Sequence, residues 1–234
     1  RHTILVSDWS SDVCSSDLIA VVFVATNKPK QVIAVEREFD SDASSTSIGR
    51  KPGILNMYAG AVETFTDLLR QTLHVFGGYE CKQLRLGKFL IVFENFKDAI
   101  LWACYFQSEL MEADWPDELL AMDECSVQVC EVTKRVLRRG LGTRIGIAYG
   151  RVALRAPTKS GQADYFGMVV NLASRVLSIA SPGQILIQPG DGFSKYRIKW
   201  ITEGAVGLLP YPATRNDIKM PELAVEIVCA GSFL

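Results

Sequence analysis

The stretch GTRIGIAYGRVALRAPTKSGQADYFGMVVNLASRVLSIASPGQILI, residues 142–187, changes its hydrophobic period halfway along, and that change decides the fold. Residues 140–149 read as a strand, with residues 152–155 as its hairpin partner across Gly150-Arg151. From Val169 to Ala180 the period becomes helical. At about 100° per residue, Val169, Val170, Leu172, Ala173, Val176, Leu177, Ile179 and Ala180 share one broad arc. Asn171, Ser174, Arg175 and Ser178 occupy the opposite one. Ser181-Pro182-Gly183 breaks the helix, and residues 184–188 form the next strand. Asn171 and Arg175 stand four positions apart, so an amide and a guanidinium lie side by side on the polar face. A guanidinium in that setting is suited to meeting a phosphate through two hydrogen bonds.

The flanking sequence supplies the remaining elements. Residues 19–26, IAVVFVAT, are almost wholly apolar and Val-rich, the composition of a central strand buried on both faces. The polar, Ser-rich segment 28–53 closes on Pro52-Gly53, and its second half reads as a mobile loop. Residues 54–76 place Leu55, Tyr58, Val62, Phe65, Leu69 and Leu73 on one helical face, and Gly77-Gly78 ends that helix. Residues 79–86 and 88–93 form a hairpin around Gly87, and residues 96–111 form a helix. The charged segment 114–139, with Trp115-Pro116, is expected to be a helical arm outside the core. A last strand is expected at 223–228. This order gives an α+β fold, a ferredoxin-like α/β sandwich with a split βαβ core. Its sheet is mostly antiparallel with helices on one face, and a helical arm is inserted at about 113–140.

The 234-residue chain is 48% hydrophobic and 22% charged with a net charge of −1. That is enough chain for one well-packed domain, and too little positive charge for a dedicated nucleic-acid binder. The longest apolar run, residues 18–25, is far too short to span a bilayer. Residues 1–18, RHTILVSDWSSDVCSSDL, read as the non-biological translation of a sequencing adapter joined to a gene fragment, which the missing initiator Met also suggests. The domain is therefore placed at 19–234. His74 is the one histidine in that span, so a multi-histidine metal site is excluded there. The five cysteines of the same span form no CxxC pair or zinc spacing, and read as free thiols in a reducing compartment.

Four ordered motifs narrow the reading further. They are Thr143-Arg144-Ile145-Gly146-Ile147-Ala148-Tyr149-Gly150, Asp164-Tyr165-Phe166-Gly167, Val170-Asn171-Leu172-Ala173-Ser174-Arg175 and Pro182-Gly183-Gln184-Ile185. In this order and at this spacing they resemble the class III adenylate and guanylate cyclase catalytic domain, in a form similar to those of green algae and protists. The resemblance extends weakly over residues 19–228. It implies that Asn171 orients the ribose of a purine nucleoside triphosphate. Arg175 would stabilise charge as the ribose 3′-oxygen attacks the α-phosphorus and pyrophosphate leaves. It also implies that Asp164 reads the purine, with adenine favoured, and that Lys219 contacts phosphate. A purine-pocket lysine falls on Lys82 counting forward from Tyr79, while counting back from Phe93 gives Gln83.

The chain departs from that pattern at the metal. Two Mg²⁺ ions would be held by a pair of Asp residues, since hard cations take carboxylate oxygen. The first position is Ala25, and the next carboxylate along the chain is Glu36. The second position falls on Gly87 or Leu86, with Lys88 beside it. The resemblance therefore implies a half-site with no metal ligands of its own. A second cyclase domain, in a hetero- or pseudo-heterodimer, would hold the ions. The expected function is conversion of ATP, rather than GTP, to the 3′,5′-cyclic nucleotide and pyrophosphate in cytoplasmic signalling. The alternative is an inactive cyclase-like module for regulation or dimerisation.

Overall fold

The strand β1, Leu18–Thr26, is buried from Ile19 onward because both of its faces are covered. Its alternate side chains feed two separate cores. Ala20, Val22 and Val24 join one, and Ile19, Val21, Phe23 and Ala25 join the other. This is a computed structural model, and it describes residues 18–42, 53–132, 134, 136–155, 164–190, 198, 202–203, 207–210 and 228–231. Around β1 the order continues with α1 (Lys30–Asp42), α2 (Gly53–Val75), β2 (Tyr79–Arg85), β3 (Lys88–Phe93), α3 (Phe96–Glu112) and α4 (Asp117–Leu120). It ends with β4 (Gln128–Val129), β5 (Val136–Arg138), β6 (Thr143–Arg151), β7 (Ala153–Arg155), β8 (Asp164–Phe166), α5 (Met168–Ile179), β9 (Ile185–Gln188), β10 (Gly207–Pro210) and β11 (Val228–Gly231).

Among the described residues the main sheet has the order β10-β11-β9-β6-β1-β3-β2. Every pairing in it is antiparallel except β6 with β9, which are joined through α5 as a βαβ crossover. The first core lies between the sheet and α2 and α3, with Phe65, Phe89, Trp102 and Phe106 fully buried. Trp102 stacks on Phe106 at 5.2 Å and donates its Nε1–H to Thr72 Oγ1 at 3.0 Å, so the one polar atom of the indole is satisfied. The second core lies under α5, which buries Leu172, Ala173, Val176 and Leu177. Each buried Leu or Val is worth roughly 1.5–3 kcal/mol. Helices thus cover both faces of the sheet rather than one.

Two other expectations need correction, and two fall wholly or mostly outside the described residues. Helix α1 occupies the first half of the Ser-rich segment; residues 43–52, where the loop was expected, lie outside the described residues. The segment at 113–140 is not a helical arm outside the core. It holds one helical turn and the β4–β5 hairpin, and Ala113, Trp115, Leu119, Met122 and Cys125 are buried in the first core. Trp115 donates to the carbonyl of Leu110 at 2.8 Å, which lets its apolar ring close the end of α3. Residues 153–155 pair with β8, not with β6. The final described strand is Val228–Gly231, and residues 223–227 of the expected strand lie outside the described set. At the other end, Leu18 pairs with Arg151 in the ladder, so strand geometry begins at the last residue of the adapter-like segment.

Candidate functional site

The four motifs meet because β6 is stripped of side chains where α5 crosses it. A Cβ at Gly146 would collide with the backbone of Leu177 and come within 2.8 Å of the carbonyl oxygen of Ala173. One at Gly150 would come within 2.8 Å of Val169 Cγ2. The two glycines let the helix lie directly on the strand. The fourth motif ties the same strand from its other end. Gly183 N–H donates to the Thr143 carbonyl at 2.8 Å and Ile145 N–H to the Gln184 carbonyl at 3.0 Å, while Pro182 packs over Gly142. The second motif leads into the helix. Gly167 has φ 123°, open in practice to glycine alone, and its carbonyl accepts the first helical bond from Asn171 N–H at 3.2 Å.

This scaffold sets the candidate side chains. With Leu172, Ala173, Val176 and Leu177 turned inward, Asn171 is exposed and Arg175 half-buried on the outer side of α5. Lys82 and Asp164, 82 positions apart in sequence, come together as an ion pair at 2.6 Å. The Lys82 ammonium also stands 5.8 Å from the centroid of the Phe166 ring. Both partners keep over a third of their side-chain surface exposed, and pairs in such positions hold with only about 0.2–1 kcal/mol. A ligand that offered hydrogen bonds to the two groups would therefore open or share the pair at small cost. Gln83 is exposed and takes no part in this pair. The two counts disagreed because β2 carries register irregularities between Glu80 and Lys82 and between Gln83 and Arg85. Phe166 was the contributor missed from sequence; it lies two residues after Asp164 on a three-residue strand.

The absent carboxylates are equally plain. In the ladder Ala25 is opposite Lys88 on one side and Arg144 on the other. Neither Gly87 nor Leu86, the two residues on which the second metal position was expected, is an acid, and the residue across from Ala25 is Lys88. Gly87 instead accepts a backbone bond from Thr26 N–H at 2.9 Å. Glu36 lies on α1, and both its carboxylate oxygens take a bond from Lys28 Nζ, at 2.8 and 2.6 Å. No group of three or more His, Cys, Asp or Glu able to hold a metal ion occurs among the described residues. A methyl group flanked by an ammonium and a guanidinium does not fit Mg²⁺. His74 is exposed in the last turn of α2. Cys81 and Cys125 are buried free thiols, with burial pushing them up to about 12 and about 11. Lys219 lies outside the described residues. No helix among the described residues is long and apolar enough to cross a membrane.

Comparison with known proteins agrees with this geometry. Residues 86–190 match the family described as the adenylate and guanylate cyclase catalytic domain. An adenylate cyclase of Schizosaccharomyces pombe is 38% identical over 130 residues, which is 54% of this chain and 7% of that protein. An adenylate cyclase of Mycosarcoma maydis is 37% identical over 126 residues, 54% of this chain and 5% of that protein. The chain therefore spans less than a tenth of the length of these curated relatives. Its fold is shared with adenylate cyclases from Trypanosoma brucei solved in their monomeric state, one of which superposes with a TM-score of 0.65 at 18% identity, covering 92% of this chain and 88% of that one. On the motifs, the fold and these matches together, the chain carries a class III adenylate and guanylate cyclase catalytic domain.

Proposed function

We propose that this domain supplies the purine and phosphate contacts of a dimeric nucleotide cyclase, with ATP as substrate, and that a second cyclase domain supplies the metal site. The observation that carries the reading is the Lys82–Asp164 pair. Two groups with no local reason to meet are joined at 2.6 Å, partly open to solvent, next to the loop that starts α5. An ionised carboxylate only accepts hydrogen bonds and an ammonium only donates them. Together they suit adenine, which offers an exocyclic amine donor beside a ring-nitrogen acceptor. Guanine presents an oxygen where adenine has the amine, and that oxygen would face the carboxylate of Asp164. The naming of the fungal relatives as adenylate cyclases points the same way.

In this reading Asn171 holds the ribose so that its 3′-oxygen faces the α-phosphorus. Attack forms the 3′-O–P bond, breaks the bond to the bridging oxygen and releases pyrophosphate. The Arg175 guanidinium offsets the charge that builds on the phosphates as this happens, and Lys219 is proposed as a further phosphate contact. The ions that the family uses would come with the partner, because Ala25 and Lys88 offer them no ligand. A location on the cytoplasmic side, where purine triphosphate is available, belongs to the same proposal. The test mixes the purified chain with a cyclase domain that has both carboxylates but lacks its own Asn and Arg. Cyclic AMP should form only in the mixture, and Arg175→Ala should lower kcat there by about a hundredfold or more. Unchanged turnover would remove Arg175 from the mechanism. Complete silence of every mixture would favour the second reading, a regulatory or dimerisation module, for which the Ala25–Lys88 substitution of the metal site is the specific argument.

A further inference from the structure

The pairing on either side of Cys81 is what turns Lys82 toward Asp164. Tyr79 is opposite Val92 and Glu80 opposite Ile91, and the next pair is Lys82 with Leu90. Cys81 is therefore an extra residue, a bulge in β2. Cross-strand partners project from the same face of a sheet. Ile91 belongs to the core beneath α2 and α3, and Leu90 to the core beneath α5. Glu80 thus points to the α2 face, while Lys82 points to the α5 face, where Cys81 is also buried. Strict alternation from Glu80 would return Lys82 to the α2 face, with the sheet between it and Asp164. Lys82 meets Asp164 at 2.6 Å because of this one inserted residue.

The bulge is held on both faces. On the α2 side, Arg70 closes on the Glu80 carboxylate with two bonds, Nε to Oε2 at 2.9 Å and Nη2 to Oε1 at 3.1 Å. This fork fixes the residue immediately before the bulge, with a geometry that the planar guanidinium has and an ammonium lacks. Glu80 keeps only 19% of its side-chain surface exposed, so one partner of the fork is largely withdrawn from water. On the α5 side, the Cys81 thiol is buried. Burial, then the carboxylate of Asp164, pushes it up to about 12, so the thiol lies within the field of the Lys82–Asp164 pair. The strand is also fixed at its start, where Gly78 N–H donates to the Leu73 carbonyl at 3.1 Å. Arg70 stands across the sheet from Asp164, and it reaches the Lys82–Asp164 pair only through the backbone of β2.

We propose that Arg70 is a positioning residue for Lys82: by clamping Glu80 it holds the Cys81 bulge in register, and so keeps Lys82 aimed at Asp164. The effect runs from a side chain on α2, through the backbone of β2, to a contact on the far face of the sheet. That this contact reads a purine rests on the function proposed above; the aiming of Lys82 does not.

Two measurements separate the aim of Lys82 from its use. The first is acetylation of the purified chain with a limiting N-hydroxysuccinimide ester, read lysine by lysine in a mass spectrometer. An ammonium that donates to a carboxylate at 2.6 Å is shielded from the reagent, so Lys82 should react slowly. Asp164→Asn should release it and set the upper limit. Arg70→Gln and Glu80→Gln should each speed the reaction of Lys82 about two- to fivefold, the scale of one partly exposed ion pair. Arg70→Lys, which keeps the charge but not the fork, should fall between. Lys30, an exposed lysine on α1, should react at the same rate in every variant. The second measurement is ATP turnover in the mixture with the carboxylate-bearing cyclase domain. Arg70→Gln should raise the KM by a similar factor at unchanged kcat, and should add nothing in a Lys82→Ala background. Wild-type reactivity of Lys82 in Arg70→Gln overturns the assignment, whether or not the Tm falls and even where the mixture is silent. A KM effect that persists in Lys82→Ala overturns it as well. Faster acetylation of Lys82, with a KM for ATP that Lys82→Ala leaves unchanged, supports the positioning role and removes the purine reading.

Discussion

At the scale of single residues, the domain is defined by one pair that is present and one that is missing. Lys82 and Asp164 are drawn together from distant parts of the chain, whereas Ala25 and Lys88 face each other across β1 and β3 with no carboxylate between them. If Asp164 reads the adenine amine, Asp164→Ala should raise the KM for ATP about tenfold or more in a mixed cyclase assay, the scale of one charged hydrogen bond. Discrimination against GTP should shrink with it. Loss of kcat at unchanged KM would instead mean that Asp164 acts in the transition state and not in reading the base. The buried thiols give a separate test. Cys81 and Cys125 sit near 12 and 11 in the folded chain, against about 9 when unfolded, because burial disfavours the thiolate. Between pH 9 and 11 the unfolded chain therefore holds fewer protons, and stability must fall as pH rises through that window. Urea titrations at pH 8 and pH 10 should show the loss, and Cys81→Ala should flatten it.

At the scale of elements, β6 and α5 act as one unit. Gly146→Ala drives a Cβ into the helix backbone, which cannot rotate away, so about 1–3 kcal/mol of stability should be lost, or more. Gly150→Ala meets only the Cγ2 of Val169, a side chain free to change rotamer, and should cost clearly less. Denaturant midpoints of the two variants measure the difference directly. The helix of this unit was legible in sequence because its signal, the apolar arc of residues 169–180, is local, whereas Gly150 was read as a turn and lies inside β6. The buried β1 and the β2–β3 hairpin were legible for the same reason. What sequence hid depends on contacts between distant segments. The register of β2 is shifted by its irregularities, so no count along the chain could bring Lys82 to Asp164 or find Lys88 opposite Ala25. The segment with Trp115 looked like an external arm because of its charges, yet its apolar residues alternate with them and fill the end of the first core. Helix α1 escaped because its polar residues outweigh the few apolar ones that anchor it through Val32.

At the scale of the whole molecule, the sheet holds two chemically distinct regions. One gathers Lys82, Asp164 and Phe166, and leads through Gly167 into the helix of Asn171 and Arg175. The other aligns Arg85, Lys88 and Arg144 around Ala25 and repels divalent ions. On the proposed function, a domain so built is half of a catalytic assembly. The measurement that bears on this most directly is cyclic AMP production from ATP and Mg²⁺, by the purified chain alone and after addition of a carboxylate-bearing cyclase domain that is itself disabled in Asn and Arg. The account predicts no product from the chain alone and steady turnover in the mixture. Turnover by the chain alone, at a rate proportional to its concentration and abolished by EDTA, would contradict it.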